Sequence, residues 1–149
     1  ITGMPNVFPT HQGRAAESIL AATRLKKGDI VPNNSHFDTT RANVEYVGAQ
    51  ALDLLCADGF DLALETPFKG NMDLEKLERC IKDNGTDQIP LSMITRTNNT
   101  RLGEPVSMAN IRDVKNILKS YGIPLPISIL AHSLPPQPHR PGDVNGNAE

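Results

Sequence analysis

Four stretches with helical spacing alternate with short apolar runs, and glycines at positions 28, 48, 85 and 122 punctuate them. This alternation restricts the fold more than any other feature of the chain. Each amphipathic stretch has an apolar stripe to bury, and each apolar run is short enough to be a single strand. Strands separated by whole helices come together side by side with each helix as a crossover, which makes the sheet parallel. An α/β fold follows, with a mainly parallel sheet flanked by helices. Ligands of such sheets bind at the carboxyl ends of the strands.

The first helix is expected from His11 to about Leu25, with Ala15, Ile19, Leu20 and Ala22 facing inward and Gly28 ending the turn. Asp29 to Pro32 reads as a strand. Thr39 or Thr40 can cap a second helix that runs through Val47 and closes at Gly48. Ala51 to Leu55 and Leu62 to Leu64 read as short strands. Leu74, Leu77 and Ile81 share one face of a helix that starts at Asp73 and ends before Gly85; a strand over Ile89 to Thr95 and a polar loop over Thr97 to Pro105 come next. Ser107 caps the clearest helix, whose stripe is Met108, Ile111, Val114, Leu118 and Tyr121, and Gly122 terminates it. Ile123 to Leu130 completes the strands. Residues 131–149 are rich in Pro, Gly and Asn and poor in core formers, so the organisation is one domain over 1–130 and an irregular tail.

Composition excludes several classes. The 149 residues are 38% hydrophobic and 21% charged, enough for one domain with a core. A net charge of −2 with interspersed signs gives no reason to expect a nucleic-acid or membrane partner. No apolar run is long enough to cross a bilayer and no signal-peptide pattern opens the chain, so the expected location is cytoplasmic. Cys56 and Cys80 read as free, buried thiols, and His11, His36, His132 and His139 lack metal-ligand spacing. A start at Ile1 suggests a piece of something longer.

The strongest chemical signal lies in Phe8-Pro9-Thr10-His11-Gln12-Gly13-Arg14-Ala15-Ala16-Glu17. Pro9 and Thr10 break and cap the incoming chain, leaving the first helical N–H groups available to an anion. The helix dipole adds positive character, Gly13 lets backbone approach a ligand, Arg14 offers a bidentate fork and Gln12 an amide donor. This outlines a phosphate pocket. An ordinary capped helix with a solvated arginine is the alternative, since no GxxxxGK[ST] or GxGxxG accompanies the segment.

Three further stretches join it: Ser35-His36-Phe37-Asp38-Thr39-Thr40-Arg41, Phe68-Lys69-Gly70-Asn71-Met72-Asp73, and Pro105-Val106-Ser107-Met108-Ala109-Asn110-Ile111-Arg112. In this order and spacing, from about Phe8 to Leu125, the chain resembles the β-eliminating lyases, tryptophanase and tyrosine phenol-lyase, which use pyridoxal 5'-phosphate. The resemblance implies part of the large domain of the aspartate-aminotransferase-like fold. It implies that Gln12, Gly13 and Arg14 hold the cofactor phosphate, that Phe37 stacks on the pyridine ring, and that Asn99 bonds the cofactor's phenolic oxygen. Asp38 matches tryptophanases, where tyrosine phenol-lyases carry Thr, and its carboxylate can accept a hydrogen bond from an indole N–H. An aromatic amino-acid substrate, a homotetramer and potassium dependence are implied by the family only, and no residue here is assigned to the potassium. The bland alternatives are a core phenylalanine at 37, a helix-initiating aspartate at 38 and a turn asparagine at 99.

The chain also departs from the family. Thr100-Arg101-Leu102-Gly103-Glu104-Pro105 replaces a glycine-rich run ending in Gln-Pro. Ser128 stands where the family has the aspartate that keeps the pyridine nitrogen protonated, and the next arginine is Arg140. The Schiff-base lysine has no counterpart. The change at Pro126-Ile127-Ser128-Ile129-Leu130 reads as a frame shift or an aberrant gene end. The expectation is a tryptophanase-like chain that is inactive alone; a tyrosine phenol-lyase-like parent and a non-catalytic binding protein are the competing readings.

Overall fold

A computed structural model describes residues 8–61, 63–96 and 104–129. Among the described residues four helices and four strands alternate: α1 (Gly13–Arg24), β1 (Ile30–Asn33), α2 (Asp38–Tyr46), β2 (Gln50–Asp53), α3 (Leu74–Asn84), β3 (Ile94–Arg96), α4 (Met108–Ser120) and β4 (Ile127–Ile129). Short 3₁₀ turns cover Ala57–Phe60 and Thr86–Gln88. β1 pairs in parallel with β2, β3 pairs in parallel with β4, and a parallel bridge from Asn33 to Met93 joins the two pairs. The parallel α/β expectation is therefore met.

Local chemistry explains the helix ends. Asp73 accepts from the Lys76 N–H and Ser107 from the Asn110 N–H, so α3 and α4 start at side-chain caps. Gly28, Gly48, Gly85 and Gly122 all have positive φ, between +71° and +92°, where an L side chain would be strained.

Neighbouring strand residues point to opposite faces and enter different cores. Ile30 and Ile94 join Leu77, Ile81, Val114 and Leu118 beneath α3 and α4. Val31 and Met93 join Val44 and Leu91 on the α1–α2 side, where Leu20 also packs. All four residues of β1 are buried, as expected for a strand covered on both faces.

Several local expectations are corrected. Thr10 does not cap α1; Gln12 is the N-cap residue, with no side-chain cap bond, while the Thr10 hydroxyl donates to the Gln12 carbonyl. Ala21 is the buried residue of α1, and Ile19 and Ala22 are exposed, because the helix is turned slightly from the expected stripe. Neither Thr39 nor Thr40 caps α2, which starts at Asp38. Ala63 and Leu64 lie in a turn and irregular chain, and residue 62 falls outside the described residues. The strands are shorter than the apolar runs: β3 keeps only the end of 89–95, since Ile89 and Leu91 are buried outside strand pairing. Met108 is half exposed rather than part of the core stripe. Cys80 is buried, whereas Cys56 is only half-buried. Most of the loop expected at 97–105, and the tail at 131–149, lie outside the described residues.

Candidate functional site

Polar side chains collect at the carboxyl ends of β1 and β3. Asn33, Asn34, Ser35, His36, Ser92 and Thr95 are all at most 3% exposed, an unusual density for residues that an apolar core would reject. Hydrogen bonds explain most of it. The Asn34 amide donates to the carbonyls of Gly70 at 2.8 Å and Thr95 at 3.0 Å, and its oxygen accepts from the Thr95 N–H at 2.9 Å. The Asn33 amide donates to the Thr95 hydroxyl at 3.1 Å, and Ser92 donates to the Pro32 carbonyl. One acceptor, Asn33 Oδ1, is buried with no partner among the described residues.

Above this shell lie the first turns of α1 and α2. The Glu17 carboxylate accepts from both the Thr40 hydroxyl at 2.7 Å and the Thr39 hydroxyl at 3.2 Å. Glu17 lies four residues after Gly13, about 6 Å of helix rise, so this tie holds the two helix N-termini close together. At the α1 end the first backbone donor engaged by a helical carbonyl is that of Ala15, which donates to Gln12 O. Gly13 faces open space, with nothing within 4 Å of where a Cβ would lie, and Arg14 is exposed without an ion pair among the described residues. The chemistry there suits an anion: a positive dipole end, no Cβ at Gly13 and an exposed guanidinium.

Phe37 is the N-cap residue of α2 and half-buried; Asp38 follows as the exposed first residue of the helix. Both are placed from the end of β2. Asp53 Oδ1 accepts from the His36 N–H at 2.9 Å and lies 2.7 Å from His36 Nδ1, while Asp53 Oδ2 accepts from Arg41 Nη2 at 2.6 Å. Arg41 also donates to the Ala51 carbonyl, and its own N–H donates to Phe37 O at 2.9 Å. Burial works to raise the Asp53 pKa, but the hydrogen bonds from His36 and the charges of His36 and Arg41 outweigh it, so the carboxyl sits below its ordinary 3.8.

The Phe68–Asp73 motif forms a tight turn behind the site. Phe68 has φ +62°, Gly70 N–H donates to Pro105 O, and buried Lys69 lies 3.7 Å from Glu104. Asn71 accepts from the Ser107 N–H, and Asn110 closes two bonds on the Met72 backbone. Asn99 lies outside the described residues. Ser128 pairs with Thr95 in the β3–β4 register, so a hydroxyl-bearing residue occupies that strand position. No group of three metal-ligating side chains is present among the described residues, and no helix among them is long and apolar enough to cross a membrane.

Gln12, Gly13 and Arg14 thus stand at the start of α1, and Phe37 and Asp38 at the start of α2, two helices that Glu17 ties together. Sequence reasoning missed Asn34, which ties the end of β1 to Gly70 and Thr95, and Asp53, which holds His36 and Arg41 on either side of Phe37. Their one local signal is polarity at a strand end, which many solvated loops share.

The family profile described as Beta-eliminating lyase matches residues 1–127. A probable beta-eliminating lyase of Trichomonas vaginalis is 50% identical over 84% of this chain and 27% of its own length. A tryptophanase of Hyphomonas neptunium is 50% identical over 78% of the chain and 26% of its own, and a tyrosine phenol-lyase of Pasteurella multocida is 45% identical over 81% and 26%. The chain spans about a quarter of the length of these relatives. Among solved structures, an alanine aminotransferase from Pyrococcus furiosus superposes with TM-score 0.59 at 16% identity, over 76% of this chain and 26% of that one. The SepCysS–SepCysE N-terminal domain complex gives 0.61 at 22%, over 80% and 30%. These likenesses establish the aminotransferase-like fold.

Proposed function

Because the chain belongs to the β-eliminating lyase family, we propose that its two adjoining helix ends form the phosphate-holding and ring-facing side of a pyridoxal 5'-phosphate site. The observation that carries this reading is the α1 N-terminus, where an unobstructed Gly13 and an exposed Arg14, without an ion pair among the described residues, stand one helical turn from the Glu17 tie to α2. When bound, the cofactor supplies an electron sink for charge developing at the substrate's α-carbon. Gln12, Gly13 and Arg14 hold its phosphate, and Phe37 presents an aromatic face to its ring. Asn99 completes the set by bonding the phenolic oxygen.

In the whole protein the reaction is β-elimination of L-tryptophan with water to indole, pyruvate and ammonia. Exposed Asp38, next to Phe37, favours tryptophan because its carboxylate accepts from an indole N–H. A tyrosine phenol-lyase-like parent is the second reading, supported by relatives of that name at comparable coverage. Residues 1–149 alone perform no elimination in this proposal: Ser128 provides no negative charge for the ring nitrogen, and Lys69 is buried against Glu104. Binding without turnover is expected.

Pyridoxamine 5'-phosphate tests the cradle without needing a Schiff base. Calorimetric titration should show binding that Arg14→Ala weakens by roughly tenfold, the scale of one charge-assisted contact. Equal binding of pyridoxamine lacking the phosphate, or an unchanged Arg14→Ala variant, refutes the assignment. For the substrate, replacing the residue equivalent to Asp38 by Thr in a full-length relative should shift release from indole toward phenol.

A further inference from the structure

We propose that Asp53 is a positioning residue for the ring-facing edge of the site, setting the place of Phe37 through His36 and Arg41; the proposal rests on the cofactor reading above. Phe37 starts α2 without any side-chain cap, so its place is decided by its neighbours. Asp53 grips both sides of it. One oxygen engages the His36 N–H and lies in contact with the His36 ring immediately before Phe37. The other accepts from Arg41, whose own N–H donates to the Phe37 carbonyl to close the first helical turn. Asp53 ends β2 in register with Asn33 and is anchored by the sheet rather than by the loop it holds. The His36 side chain is fully buried, which leaves the residue before Phe37 little freedom.

A carboxylate suits this position because it has two acceptor oxygens and no donor. Asparagine has one oxygen, so it can serve His36 or Arg41 but turns its NH₂ group toward the other. Asp53→Asn should therefore loosen the start of α2 while leaving the sheet and the α1 cradle in place.

Two ligands separate this role from general destabilisation. Inorganic phosphate reads only the α1 cradle, whereas pyridoxamine 5'-phosphate reads the cradle and the ring face. In the 149-residue chain, Asp53→Asn and Phe37→Leu should each weaken pyridoxamine 5'-phosphate by roughly fivefold, the scale of one aromatic contact. The double variant should be no weaker than the poorer single one, since both remove the same interaction. Phosphate affinity should stay within about twofold, inside the additivity error for distant sites. Additive losses, or an equal loss of phosphate binding, overturn the proposal.

Amide hydrogen exchange gives a reading independent of any ligand. Asp53→Asn should accelerate exchange at His36 and Arg41 by at least tenfold and leave Leu77 and Val114 unchanged; unaltered His36 and Arg41 overturns the proposal. Faster exchange there in a chain that binds no pyridoxamine 5'-phosphate upholds Asp53 as the anchor of Phe37 and refutes the cofactor reading alone.

Discussion

Replacing Asn34 by Ala should be among the most damaging single changes outside the apolar cores. Asn34 is fully buried and makes three bonds of 2.8 to 3.0 Å, which connect the end of β1 to the turn at Gly70 and to β3 at Thr95. Alanine removes all three and puts nothing in their place. The Thr95 N–H loses the acceptor that Asn34 provides, at about 2 kcal/mol, and the two carbonyls lose a donor at about 0.5–1.5 kcal/mol each, so the expected cost is about 3–5 kcal/mol. That is a large part of the roughly 5–15 kcal/mol typical of a domain. In urea unfolding, with a slope of about 1–3 kcal/mol/M, the midpoint should fall by roughly 1–5 M. Ser107→Ala is the control, because it removes a single, part-buried cap bond to Asn110 and should cost only about 1 kcal/mol. If Asn34→Ala costs no more than Ser107→Ala at equal slope, water satisfies the orphaned groups and the buried network does not hold the strand ends.

Two further outcomes follow from the same geometry. A Cβ on Gly70 would lie 2.6 Å from the Glu104 carbonyl oxygen and 2.9 Å from that of Pro105, both backbone atoms, so Gly70→Ala should destabilise by about 1–3 kcal/mol in urea unfolding. Acid sensitivity should come from Asp53 and Asp73; at Asp73 burial raises the pKa, but hydrogen bonds from the Lys76 backbone and ammonium outweigh it. Both carboxyls are lowered in the folded state, so their contribution is complete above the unfolded value near 3.8 and is lost as pH falls through it toward the folded values. The urea midpoint should drop on acidification below about pH 4, and the Asp53→Asn/Asp73→Asn double variant should show a flatter profile.

What could be read from the sequence depended on range. Asp73 and Ser107 cap their helices through bonds to the third residue onward, and Gly85 and Gly122 take positive φ just beyond the helix ends, so each signal is complete within a few residues. Thr39 and Thr40 carry the same local signal and do not cap, because α2 already begins at Asp38; their hydroxyls donate instead to Glu17, more than twenty residues earlier. The partners of Asn34 lie 36 and 61 residues away and that of His36 lies 17 away, and no local pattern reports such pairings. Gln12, Gly13 and Arg14 were legible because a helix N-terminus, a glycine and a guanidinium express their chemistry locally.

The polar ends of the strands explain why the site lies where it does. Where the strand ends of a parallel sheet are themselves buried from water, their backbone groups have to be matched by side chains. Asn33, Asn34, Thr95 and Asp53 do that matching, and every group they engage belongs to a segment leading into α2, the Gly70 turn or β3. The same bonds that satisfy the sheet therefore fix the loops that present Phe37 and Asp38. Asn33 Oδ1 is the exception, a buried acceptor with no partner in that shell. An unsatisfied buried amide oxygen costs about 1–3 kcal/mol, so Asn33→Ala, which removes that oxygen together with the bond to Thr95, should cost clearly less than Asn34→Ala. Equal losses in urea would mean that the Asn33 bond to Thr95 is worth as much as the whole Asn34 set, and the strand ends would then be held by contacts other than the hydrogen bonds counted for Asn34.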